Sequence, residues 1–137
     1  MKNLSITSCI LVIALFLGSC EQKPSEMIVG EWKIVDVQST EEIPEELEEI
    51  HTQTIEEMKA GSKLIINVDG TFERTILEET TGGKWAISED AKKLTMTYEG
   101  GSNEISNIDE LTEAKLAVSI EINEAKNTIV YEKKSTN

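Results

Sequence analysis

The chain is poor in most side chains that carry chemistry. It has two cysteines, one histidine and 4% aromatic residues, and among its 13 basic side chains only Arg74 is an arginine. The one imidazole, His51, has no Ser/Asp partners placed around it, so triad-type nucleophilic catalysis has no basis. Glu48-x-x-His51 has the spacing of half a di-iron site, but the second such pair and the inward glutamates are missing, and His51 reads as helix surface. No glycine-rich loop precedes a helix, which removes a phosphate cradle. Basic charge is also short: 26 acidic residues give a formal charge of −13. Such a surface repels phosphate backbones and argues against a nucleic-acid partner. Long apolar runs are absent as well. The longest, residues 10–17, falls far short of the ~20 residues that a spanning helix needs. No enzyme activity, metal or cofactor is expected, and paired carboxylates are too common here to single out a site.

What is present begins at the N-terminus. Lys2 precedes an uncharged stretch, residues 3–19, that ends on the small pair Gly18-Ser19. This is the pattern of a secretory signal. Cys20 follows at once, and Leu17-Gly18-Ser19-Cys20 resembles the lipobox of bacterial lipoproteins. That resemblance implies cleavage before Cys20 and acylation of both its thiol and its new amino group. An ordinary secretory signal beside an unrelated cysteine is the alternative. Each buried CH₂ contributes ~0.8 kcal/mol, and stable anchoring needs more than one chain, which triple acylation satisfies. The expected organisation is a signal at 1–19, a lipidated tether at 20–27 and one domain at 28–134. Cys9 leaves with the signal, so the mature chain of 118 residues has one cysteine and no internal disulfide. Loss of Lys2 takes the formal charge from −13 to −14.

After the tether, period-two patterns alternate with turn residues at short intervals. Strands are expected at 29–38, 63–68, 71–77, 84–88, 94–99, 104–108, 115–122 and 128–133. The segments between, including Asp69-Gly70, 80–83, Gly100-Gly101, 109–113 and 123–127, are rich in turn formers. Short connections make antiparallel neighbours, and eight such strands can close into an up-and-down barrel without exposed edges. Residues 39–61 differ: Ile43, Leu47, Ile50, Thr54 and Met58 recur at helical spacing. Pro44 suits a first turn, Glu45 and Glu46 its positive end, Lys59 its negative end and Gly61 a cap. A helix of about four turns between the first two strands is expected, either covering an open barrel end or packed outside the sheet.

The run KLIINVDGTFERTIL defines a register. A three-residue turn, Val68-Asp69-Gly70, sets Ile66 against Phe72 and Leu64 against Arg74, whereas a two-residue turn mismatches apolar and polar residues. The inner face then holds Leu64, Ile66, Phe72, Arg74 and Ile76, and parity adds Trp32, Ile34, Trp85, Ile87, Leu94, Met96, Tyr98, Leu116, Val118, Ile120, Ile129 and Tyr131. A guanidinium inside an apolar barrel is costly without a carboxylate. For Arg74 that partner is a fatty-acid headgroup or a structural acid such as Asp36, unless the residue lies at the solvated rim.

Three segments, VGEWKIVDV (29–37), LIINVDGTF (64–72) and GGKWAISEDAKKLTMTY (82–98), resemble the lipocalin-like domain common in lipoproteins of Bacteroidota, and ELTEAKLAV with TIVYEKK fits its last strands. The resemblance covers roughly residues 28–134. It implies a calycin-type barrel, an outer-membrane lipoprotein and, for true lipocalins, a cavity for small hydrophobic molecules. Gly30-Glu31-Trp32 matches the family's G-x-W, whose Trp plugs one barrel end; Gly83-Lys84-Trp85 repeats the spacing. The family's T-D-Y triplet and late arginine are absent, and its helix follows the barrel. The helix position here is closer to the lid of fatty-acid-binding proteins. Arg74, Phe72, Met96, Tyr98, Tyr131 and Ile66 are the candidate ligand-lining residues, Trp32 and Trp85 the candidate plugs and Cys20 the lipidation site. The expected function is membrane-anchored binding of a small hydrophobic molecule. The competing expectation is a filled barrel that acts through protein contacts, with no partner identified.

Overall fold

The computed structural model describes residues 22–135, so Cys20 and the signal lie outside the described residues. Its strands are β1 (Gly30–Ser39), β2 (Lys63–Ile66), β3 (Thr71–Ile76), β4 (Glu79–Ile87), β5 (Lys93–Tyr98), β6 (Asn103–Leu111), β7 (Lys115–Ile122) and β8 (Ala125–Lys133). Each pairs antiparallel with the next, and β8 returns to β1, closing an eight-stranded up-and-down barrel. One short helix, α1 (Pro24–Met27), precedes the barrel, and a longer one, α2 (Glu48–Gly61), stands between β1 and β2 behind a single 3₁₀ turn at Glu45–Leu47.

The β2–β3 hairpin has the register that its apolar alternation requires: Ile66 opposes Phe72 and Leu64 opposes Arg74. Gly70, at φ 89°, takes the left-handed position. The Asp69 carboxylate accepts from the Thr71 hydroxyl at 2.6 Å and the Thr71 N–H at 2.9 Å, which holds it below the usual carboxylate range.

Three strands are longer than the residue pattern predicts. β4 begins at Glu79 rather than 84, because the turn is the pair Leu77-Glu78, both left-handed at φ 48° and 75°. Gly82-Gly83, expected to turn, lies mid-strand. A β-carbon on Gly83 would sit 1.9 Å from the carbonyl oxygen of Thr97, so only glycine permits this approach of β4 to β5. β6 continues past 108 through an irregularity between Ile108 and Glu110, and β8 starts early because Asn123-Glu124 forms a second left-handed pair, at φ 51° and 68°.

One pole of the barrel is closed. Trp32 is fully buried there, its indole N–H donating to the Ile28 carbonyl at 2.8 Å. The Lys133 ammonium lies 4.8 Å from the Trp32 ring centre and donates to the Met27 carbonyl at 2.6 Å. It covers the face of the tryptophan. Gly30 lies alongside at φ 146°, a conformation that favours glycine, and a β-carbon there would come to 3.1 Å from Lys133 Cε. Trp85 is half-buried against the same core, with its indole bonded to the Asn67 carbonyl at 2.8 Å.

At the other pole are the β3–β4, β5–β6 and β7–β8 turns. Here α2 packs against β1 and the end of β3. Its inner side is His51, Ile55, Met58 and Lys59, all half-buried, with Met58 against the core. This corrects the expected stripe: Leu47 and Ile50 are exposed, and His51 is partly covered rather than on the free helix surface.

Candidate functional site

Inward alternation on β3, β5, β6 and β8 brings Arg74, Tyr98, Glu104 and Tyr131 together inside the barrel. Arg74 and Glu104 meet through two parallel contacts, Nη1 to Oε1 and Nη2 to Oε2, each 3.0 Å. Their side chains retain 16% and 33% exposure, so the pair is largely withdrawn from water. Tyr98 completes the group: its hydroxyl accepts from Arg74 Nη2 and donates to Glu104 Oε2 at 3.3 Å. The guanidinium carbon also lies 5.2 Å from the Tyr98 ring centre. The structural acid that Arg74 needs is therefore Glu104, not Asp36, whose carboxylate instead accepts from Val37 N–H and the Gln38 side chain.

Glycine positions this tyrosine. Gly83 stands between Phe72 and Tyr98 in register, and the two rings meet edge to face, with centres 5.3 Å apart. The missing side chain leaves the room over which the rings touch. Tyr131, buried beside the ion pair, has its phenol pushed up to about 12, chiefly by burial; the Arg74 charge opposes that shift and Glu104 adds to it.

These groups border a cavity of about 80 Å³. Leu94, Met96, Val118, Ile120 and Ile129 give it an aliphatic wall, while Arg74, Glu104, Ser106, Asn127 and Tyr131 supply polar edges. Of the lining residues expected from sequence, Arg74, Met96 and Tyr131 border it. Phe72 and Ile66 belong to the packed core. Tyr98 borders, with Arg74, a wider depression open to solvent at the turn pole. No α2 residue lines the cavity.

Glu104 and Ser106 escaped the sequence reading, yet a signal existed. The β5–β6 turn, with Gly101 left-handed, has the same three-residue form as the β2–β3 turn. Applying the same register there sets Glu104 opposite Met96 and Ser106 opposite Leu94, both on the inner face. Among the described residues no group of three or more potential ligands could hold a metal, and no helix is long and apolar enough to cross a membrane.

A lipocalin-like protein from Bacteroides uniformis is similar in structure, with a TM-score of 0.51 at 11% identity over 79% of this chain and 99% of that one. A duf4847 family protein from Bacteroides vulgatus has a TM-score of 0.51 at 15% identity over 77% and 94%. Bovine odorant binding protein, solved with a selenium-containing odorant, gives 0.49 at 17% identity over 85% and 76%. No curated protein matches the chain in sequence. The family model described as a lipocalin-like domain matches residues 28–118. With that match covering most of the chain and the closed barrel around Trp32, the chain belongs to the lipocalin-like domain family.

Proposed function

We propose that this chain is a lipid-anchored module of the outer membrane that holds a small hydrophobic molecule inside its barrel, with no catalytic step. The observation that carries the binding reading is the cavity: an aliphatic wall of Leu94, Met96, Val118, Ile120 and Ile129 facing a cluster of hydrogen-bonding groups. That combination orients a mostly apolar guest by one polar end. Anchoring rests on Leu17-Gly18-Ser19-Cys20. An anchor at Cys20 would bring α1 and the closed pole around Trp32 toward the lipid.

One observation favours the alternative of a filled barrel acting through protein contacts. The cavity of about 80 Å³ is small beside the ~300–1,000 Å³ of ordinary ligand pockets. Native mass spectrometry of the full chain purified from its host separates the two readings. A copurified small molecule that disappears in Arg74→Ala supports carriage. A chain that carries no copurified small molecule favours the filled barrel. The mass of the N-terminal peptide reports acylation of Cys20 independently, and an unmodified terminus ends the anchoring reading.

A further inference from the structure

We infer that the cavity selects an electrically neutral ligand of about three or four non-hydrogen atoms with one polar end, and rejects carboxylates. This rests on the binding reading above and specifies its ligand class. Arg74 and Glu104 both border the cavity, and their paired 3.0 Å contacts leave the site without net charge. A ligand carboxylate drawn to Arg74 would find both Nη groups engaged and Glu104 already beside them. A second carboxylate there is repelled by Glu104, whose charge the one guanidinium already balances. An ammonium ion meets the mirror problem, since Arg74 already satisfies Glu104. A hydroxyl or carbonyl needs no counter-charge. The oxygen of either can accept from the phenol of Tyr131, which borders the cavity, and a hydroxyl can also donate to a remaining lone pair of Glu104. Size follows from volume. About 80 Å³ is roughly half of the ~150 Å³ that admits benzene in an engineered protein cavity.

The test is a methyl NMR titration of the full chain at pH 7 with 1-propanol, propionate and propylamine, read at the Met96 and Ile129 methyls. Propanol is expected to shift both saturably, with propionate and propylamine at least tenfold weaker. In Glu104→Gln, Arg74 is freed of its counter-charge, and propionate should gain at least tenfold relative to propanol. If a thermal melt shows that variant unfolded, the wild-type comparison decides alone. Propionate binding to the wild type as tightly as propanol overturns the inference and leaves the binding reading standing. No saturable shift with any of the three also overturns it, and the native mass spectra then judge the binding reading separately.

Discussion

Removing one half of the Arg74–Glu104 pair should cost more than removing both. The two side chains are 16% and 33% exposed and joined by two 3.0 Å contacts. Breaking a fully buried pair costs ~3–5 kcal/mol because the remaining charge stays in a poor solvent. Partial access of water to Glu104 reduces that figure here. Glu104→Met, which strands the less exposed cation, is expected to cost about 2–3 kcal/mol, and Arg74→Met about 1–2 kcal/mol, because Tyr98 still donates to the carboxylate. The double variant fills the space with apolar atoms and should fall within about 1 kcal/mol of the wild type, a coupling of about 2 kcal/mol or more. Urea unfolding, followed by the fluorescence of Trp32 and Trp85, measures each corner. With a slope near 2 kcal/mol per molar, Glu104→Met lowers the midpoint by about 1 M and the double variant by no more than about half of that. Additive losses, or single variants within about 0.5 kcal/mol of the wild type, would refute the view that the pair is withdrawn from water and mutually neutralised.

Three other perturbations follow from the geometry. Tyr131 is protonated in the fold to about pH 12, against an ordinary value of 10.0; its contribution is complete below pH 10 and lost as pH rises to 12, about 3 kcal/mol in all, and a denaturation series across that window that stays flat would contradict it. Gly83→Ala places a β-carbon 1.9 Å from the Thr97 carbonyl oxygen, so a loss of at least about 2 kcal/mol is expected, with near-ultraviolet dichroism reporting disturbance of the Phe72–Tyr98 contact. Replacing Leu77-Glu78 by Asn-Gly suits the left-handed pair at φ 48° and 75° and should raise stability by about 1–2 kcal/mol; an unchanged urea midpoint would show that the turn is unstrained.

Much of the barrel was legible because alternation and turn chemistry agree where they are strong. The β2–β3 register follows from four side chains, Leu64, Ile66, Phe72 and Arg74, and one glycine turn. β7 has the expected bounds, Lys115–Ile122, because its alternating apolar residues sit between clear turns. Elsewhere the local signal pointed away from the fold. Gly82-Gly83 looks like a turn, but its glycines serve a close approach between strands, a tertiary demand that leaves no local mark. The true turn at Leu77-Glu78 contains neither glycine nor asparagine, so nothing in its composition announces a left-handed pair, whereas Asn123 does mark the turn at Asn123-Glu124. In α2, the strict apolar stripe would have buried Leu47 and Ile50, but contact with β1 and β3 covers the side with His51, Ile55 and Met58. Arg74 signalled a missing acid, yet its partner lies 30 residues away in β6. Glu104 follows only when the β5–β6 register is set by its three-residue turn, as for β2–β3.

The seam between β1 and β8 has a mechanical consequence. These strands run antiparallel, with Trp32 opposite Lys133, so the chain enters and leaves the barrel at the same pole. Tension applied between the termini would load first the Lys134 N–H bond to the Glu31 carbonyl, 2.7 Å, and then its successors one by one. Such a joint peels like a zip instead of shearing as a block, and so yields to a smaller pull than its thermal stability implies.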